Sequence, residues 1–98
     1  MKILALERAE PNRTTADFQS HLKAEARRVW ELQQAGIIRE VHFDARAHTA
    51  VLTLECAGVE DAQAALDTLP LVERGLITFE LIALTPYDGF ARLFAGDA

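Results

Sequence analysis

The chain is poor in the residues that give a small protein a covalent or electrostatic shortcut to function. It has one cysteine, Cys56, in 98 residues. An internal disulfide is excluded, and a lone thiol fits a reducing compartment. Lysine and arginine number 10 against 15 acidic residues, for a net charge of −5. The cations form no block, so a nucleic-acid backbone or an anionic membrane is a poor partner. No apolar run approaches the ~18 residues of a spanning helix. Met1 to Leu6 is too short for a signal peptide, and Glu7 and Arg8 follow at once. A cytoplasmic location is expected. There is no glycine-rich phosphate loop, no CxxC pair and no GxSxG turn. Nothing calls for a cofactor or a metal. His21 and Glu25 share a helix face, but a zinc site wants at least three protein ligands, and exposed helix surface is the reading preferred.

What is present is an ordinary globular composition, half apolar and 26% charged. The length suits a single domain over 1–98. Its prolines and glycines punctuate the chain. Lys2–Ala9 opens with the apolar run of a short first strand. Pro11 and Asn12 make a turn. Thr14 and Asp17 have capping-box spacing for one long helix. Its stripe is Phe18, Leu22, Ala26, Val29 and Gln33, with Trp30 beside it. Gly36 ends it.

The spans 37–44 and 49–56 read as strands joined by a hairpin. A second helix is expected over 59–69, stopped by Pro70, and a last strand over 76–84. The order β-α-β-β-α-β predicts an α+β, ferredoxin-like fold: a four-stranded antiparallel sheet with two helices on one face. Ala35-Gly36-Ile37-Ile38 and Arg74-Gly75-Leu76-Ile77 echo each other at the two helix-to-strand exits.

Alternation separates the two faces of the sheet. Ala50, Leu52, Leu54, Cys56 and Ile77, Phe79, Leu81, Ala83 belong under the helices. The other rows are Ile38, Glu40, His42, Asp44, then Thr49, Val51, Thr53, Glu55, then Thr78, Glu80, Ile82, Leu84. This mixed face suits neither open water nor a dry core. It fits two subunits meeting sheet to sheet around a partly polar cavity, as a homo-oligomer with a small-molecule ligand. The tail over 86–98 carries Tyr87, Phe90, Leu93 and Phe94. Such a tail docks, either on its own subunit or on a neighbour.

Several residues carry a resemblance. Leu22-Lys23-Ala24-Glu25 lies in the first helix, Gly36 precedes a strand with Arg39, and Ala65-Leu66-Asp67-Thr68-Leu69-Pro70-Leu71 closes the second helix. From about Asp17 to Pro86 the chain resembles the dimeric α+β barrel superfamily, and within it the muconolactone isomerase-like and YciI-like proteins. The first strand and the tail depart from that pattern. The resemblance implies a dimer and acid–base chemistry on a small lactone or a hydroxylated aromatic breakdown product. It also implies that Arg39 binds a substrate carboxylate, for which a guanidinium is well shaped.

His42 is the first candidate for proton transfer, with Glu80 facing it across the subunit interface. Glu40 and Thr53 share that face, and Tyr87 could close the cavity mouth. Strict alternation puts Arg39 on the other face from His42, a conflict that a bulge would relieve. The same residues would equally serve as interface hydrogen bonds and ion pairs. A quinol-type monooxygenase, or a non-catalytic metabolite-binding or oligomerisation module, are the alternatives.

Overall fold

The computed structural model describes residues 1–96; the last two residues of the tail lie outside it. Strand β1 (Lys2–Ala9) is followed by helices α1 (Thr15–Gln19) and α2 (Leu22–Gln34). The hairpin β2 (Ile38–Phe43) and β3 (Ala50–Glu55) comes next. Then come helices α3 (Val59–Leu66) and α4 (Pro70–Glu73), strand β4 (Ile77–Leu84) and a 3-10 helix at Gly89–Leu93. The strands lie in the order β2-β3-β1-β4, every neighbouring pair antiparallel. This is the expected ferredoxin-like α+β plan. Among the described residues no helix is long and apolar enough to cross a membrane.

The core sits between the helices and one face of the sheet. Ile3, Ile38, Leu52, Leu54, Leu66, Leu69 and Ile77 are its largest fully buried side chains. Each contributes on the order of 1.5–3 kcal/mol by leaving water. Among the described residues no polar or charged side chain is buried.

Both helix-to-strand exits are built alike, as the echoed sequence suggested. Gly36 has φ 79° and Gly75 has φ 71°. At the first, Gly36 N–H bonds Gln33 O and Ile37 N–H bonds Leu32 O, both at 3.0 Å. At the second, Gly75 N–H bonds Val72 O and Leu76 N–H bonds Leu71 O, both at 2.9 Å. This paired closure needs a left-handed residue, which glycine supplies without a Cβ clash.

Several expectations are corrected. The first strand is not short: all eight residues pair with β4, and Lys2 to Leu6 pair with β3 as well. The first helix is two helices, broken at Ser20 and His21, where the His21 N–H reaches Phe18 O at 2.9 Å in a tightened last turn. Serine and histidine are weak helix formers, so the break is cheap. Pro70 does not stop the second helix. Helix α3 has already ended, and the Thr68 hydroxyl donates to Ala65 O at 2.6 Å. Pro70 starts α4, where a missing N–H costs nothing, and Leu69 before it is extended.

Strand β2 carries the largest correction. Its register shifts between Ile38 and Glu40: Ile38 opposes Leu54, and Glu40 opposes Thr53. Arg39 is the extra residue of a bulge. Ile38 therefore points into the core, fully buried, rather than joining His42 on the open face. Beyond the bulge the phase is reversed. Val41 and Phe43 face the helices, and Glu40 and His42 face away.

Candidate functional site

Helix α2 does not close onto the hairpin end of the sheet. A cleft of about 900 Å³ opens between them. One wall is the stripe predicted from the sequence: Phe18, Leu22, Ala26, Val29, Trp30 and Gln33 all line it. Trp30 is 60% exposed across the cleft from Phe43, 58% exposed on β2. Val41, Ala50, Leu52 and Phe79 complete the sheet wall, and Leu69 and Leu71 close one end.

Two carboxylates stand in this mostly apolar cleft. Glu7 lies in the helix-facing row of β1, opposite Phe79. Its Oε1 accepts the Ala50 N–H at 2.8 Å. Glu25 projects inward from α2, half-buried, and its Oε1 accepts the Leu71 N–H at 2.9 Å. That helix face is therefore not plain solvent surface, as was expected. Burial pushes the Glu25 carboxyl above the ordinary glutamate range; the Leu71 N–H opposes the shift and Glu7's negative charge adds to it. Each carboxylate keeps a second oxygen with no protein donor among the described residues. Sequence reasoning passed over Glu7. The available signal was a charged residue in phase with Ile3 and Ala5 on one strand face.

The hairpin supplies the cleft's outer lip. Asp44 Oδ1 accepts the N–H groups of Arg46 and Ala47, both at 2.8 Å. His48 takes a left-handed φ of 56°, and its ring stacks on Phe43 with centroids 4.0 Å apart. Arg13 stands at the other lip, its Nη2 donating to Gly75 O at 3.4 Å. Among the described residues no cluster of three or more metal-ligating side chains occurs.

The residues chosen from the sequence lie on the opposite face of the sheet. The bulge brings several of them together there. Thr53 Oγ1 donates to Glu40 Oε1 at 3.3 Å, and His42 sits one pair along, opposite Val51. Arg39 curls back so that its Nε donates to Gly36 O at 2.7 Å. Glu55, on the same face, is held below the ordinary range chiefly by its hydrogen bond to the N-terminal amine, with Arg39 contributing. Glu80 lies at the far edge, ion-paired with Arg8. Within one chain His42 and Glu80 occupy opposite edge strands. Tyr87 lines no part of the cleft. Its ring packs edge-on against Phe90, centroids 4.9 Å apart, over Gly89. Among the described residues the tail's apolar side chains are exposed, Leu93 at 74% and Phe94 at 86%.

No family model and no curated protein sequence matches the chain. Solved structures do. Muconolactone isomerase superposes with a TM-score of 0.72 at 18% identity, over 90% of this chain and 92% of that one. The 5-chloro-2-hydroxyhydroquinone dehydrochlorinase from Burkholderia phenoliruptrix AC1100, in complex with 2,5-dihydroxybenzoquinone, superposes with 0.65 at 13% identity, over 91% and 98%. The fold is that of these two small enzymes.

Proposed function

We propose that the chain is a small acid–base enzyme whose site is the cleft between α2 and the sheet. Its substrate would be a small lactone or hydroxylated ring. The observation that carries this reading is Glu25, a half-buried carboxylate whose proton affinity is raised inside an apolar cleft of ligand size. A carboxyl with a raised pKa takes and returns a proton more effectively near neutral pH.

In the proposed step Glu25 accepts a proton from a ring hydroxyl, or from a carbon beside a carbonyl. The electron pair moves into the conjugated ring. The protonated Glu25 then returns the proton at another position, which isomerises the ring, or an anionic leaving group departs with its bonding pair and Glu25 releases the proton to water. The Leu71 N–H fixes Oε1, so Oε2 is the oxygen that exchanges the proton. Trp30, Phe43 and Val41 give a flat ring apolar walls. The two enzymes of like fold, named for an isomerisation and a dehydrochlorination, support this class of chemistry.

A second reading keeps the open sheet face. The bulge at Arg39 favours it, because it lets Arg39, Glu40, His42 and Thr53 occupy one face. Two chains packed sheet to sheet, as a cytoplasmic homo-oligomer, would bring the Glu80 of one toward the His42 of the other. There His42 and Glu80 would exchange the proton, and Arg39 would hold a carboxylate.

Turnover of lactones, catechols and hydroxyquinols by wild type, Glu25→Gln and His42→Ala separates the readings. Loss in Glu25→Gln alone supports the cleft. Loss in His42→Ala alone supports the sheet face. No turnover and no ligand-induced thermal shift in a folded wild type would remove both and favour an assembly module.

A further inference from the structure

We propose that the cleft selects an uncharged, hydroxyl-bearing ring and rejects the same ring carrying a carboxylate, with Glu7 as the residue that sets this choice. The inference rests on the cleft being the site.

The charge inventory of the cleft argues it. Its two carboxylates come from opposite walls, Glu7 from β1 and Glu25 from α2. Among the described residues no lysine lines it; Arg13 stands at the lip, directed to the Gly75 carbonyl, and His48 lies stacked on Phe43. The guanidinium best shaped for a carboxylate, Arg39, lies outside the cleft and is turned onto Gly36 O. A substrate carboxylate inside would therefore meet like charge with no bidentate partner. Ring hydroxyls face the reverse situation. Each is a donor, and the free oxygens of Glu7 and Glu25 are acceptors. Glu7 is also anchored by the Ala50 N–H, so it cannot swing away to relieve a clash of charge. The aromatic walls accept the ring whatever its substituents, so discrimination falls to the carboxylates.

Trp30 is the only tryptophan and lines the cleft, so its fluorescence reads occupancy directly. The probes are catechol, 3,4-dihydroxybenzoate and the methyl ester of that acid, which matches its size without its charge. Catechol and the ester are expected to bind wild type at least about tenfold more tightly than the acid, the scale of an uncompensated like-charge contact. Glu7→Gln keeps an acceptor for the Ala50 N–H and is expected to narrow that ratio severalfold. Glu25→Gln, with its own fixed amide contact, is expected to narrow it also and serves if Glu7→Gln does not fold. If the acid binds as tightly as the ester, or the ratio survives in a folded Glu7→Gln (or, where that variant does not fold, in Glu25→Gln), the selection is overturned while the cleft stands. If none of the three probes quenches Trp30 in folded wild type, the cleft reading falls and takes this one with it.

Discussion

Removing the Glu25 carboxylate in two different ways separates its two roles. Glu25→Ala deletes both the charge and the acceptor for the Leu71 N–H. An amide left without its partner costs about 1–3 kcal/mol when fully buried. Glu25 is only half-buried, so water replaces part of the bond and the loss falls near ~1 kcal/mol. For a chain of this size that lowers Tm by roughly 4–8 °C. Glu25→Gln keeps a carbonyl oxygen at the same reach, so Tm is expected to change by less than about half as much. Both variants lose the proton-exchanging group, and turnover is expected to fall roughly 10²–10⁴-fold in each. The assays are differential scanning fluorimetry and initial rates on whichever lactone or hydroxylated ring the wild type accepts. A Gln variant that folds and still turns over at wild-type rate would refute the role given to Glu25. An Ala variant as stable as Gln would refute the Leu71 anchor.

How far the sequence carried depends on whether local signals had competitors. Gly36 and Gly75 announced both helix exits, because a left-handed residue has few substitutes. Alternation ordered the faces of β3 and β4 correctly, since neither strand is interrupted. It failed at Ile38, where one extra residue reversed the phase, and no residue type signals a bulge reliably. The stripe of α2 was legible as apolar, but apolar periodicity does not say whether a face is packed or lines a cleft. Glu25 was visible as a neighbour of His21 and as the end of Leu22-Lys23-Ala24-Glu25, with no role attached to it. Its meaning comes from the Leu71 N–H, which is remote in sequence. The open-face residues were chosen as chemistry-bearing types on a mixed face, and the cleft on the other side has no signature in any single strand.

Further outcomes follow from the same structure. Glu25 binds its proton more tightly folded than unfolded, so its contribution to stability is full at low pH and is lost as pH rises through the raised folded value. Urea unfolding should therefore show Glu25→Gln gaining on wild type as pH rises from the ordinary glutamate range, with no gain below it. Gly36→Ala is expected to cost about 1–2 kcal/mol through its left-handed φ, whereas Gly58→Ala, extended and with open space at its Cβ, should change stability by less than about 0.5 kcal/mol. Leu54→Ala, fully buried between sheet and helices, is expected to cost about 2–5 kcal/mol by chemical denaturation. Arg8→Ala breaks an exposed ion pair with Glu80 and should cost under about 1 kcal/mol in the same assay.

The two faces of the sheet divide the work in a way their residues explain. The open face mixes Leu4, Leu6, Val51 and Ile82 with Glu40, Thr53 and the Arg8–Glu80 pair. Glu40, Thr53, Arg8 and Glu80 are paired within the chain, which suits them to a subunit interface. The cleft has the opposite economy. Its walls are apolar, and its two carboxylates each spend one oxygen on a backbone amide and hold the other in reserve. A carboxylate fixed at one oxygen and free at the next is positioned for chemistry. The bulge at Arg39 makes the division possible. Without it Val41 and Phe43 would face away from α2, and the cleft would lose its aromatic wall.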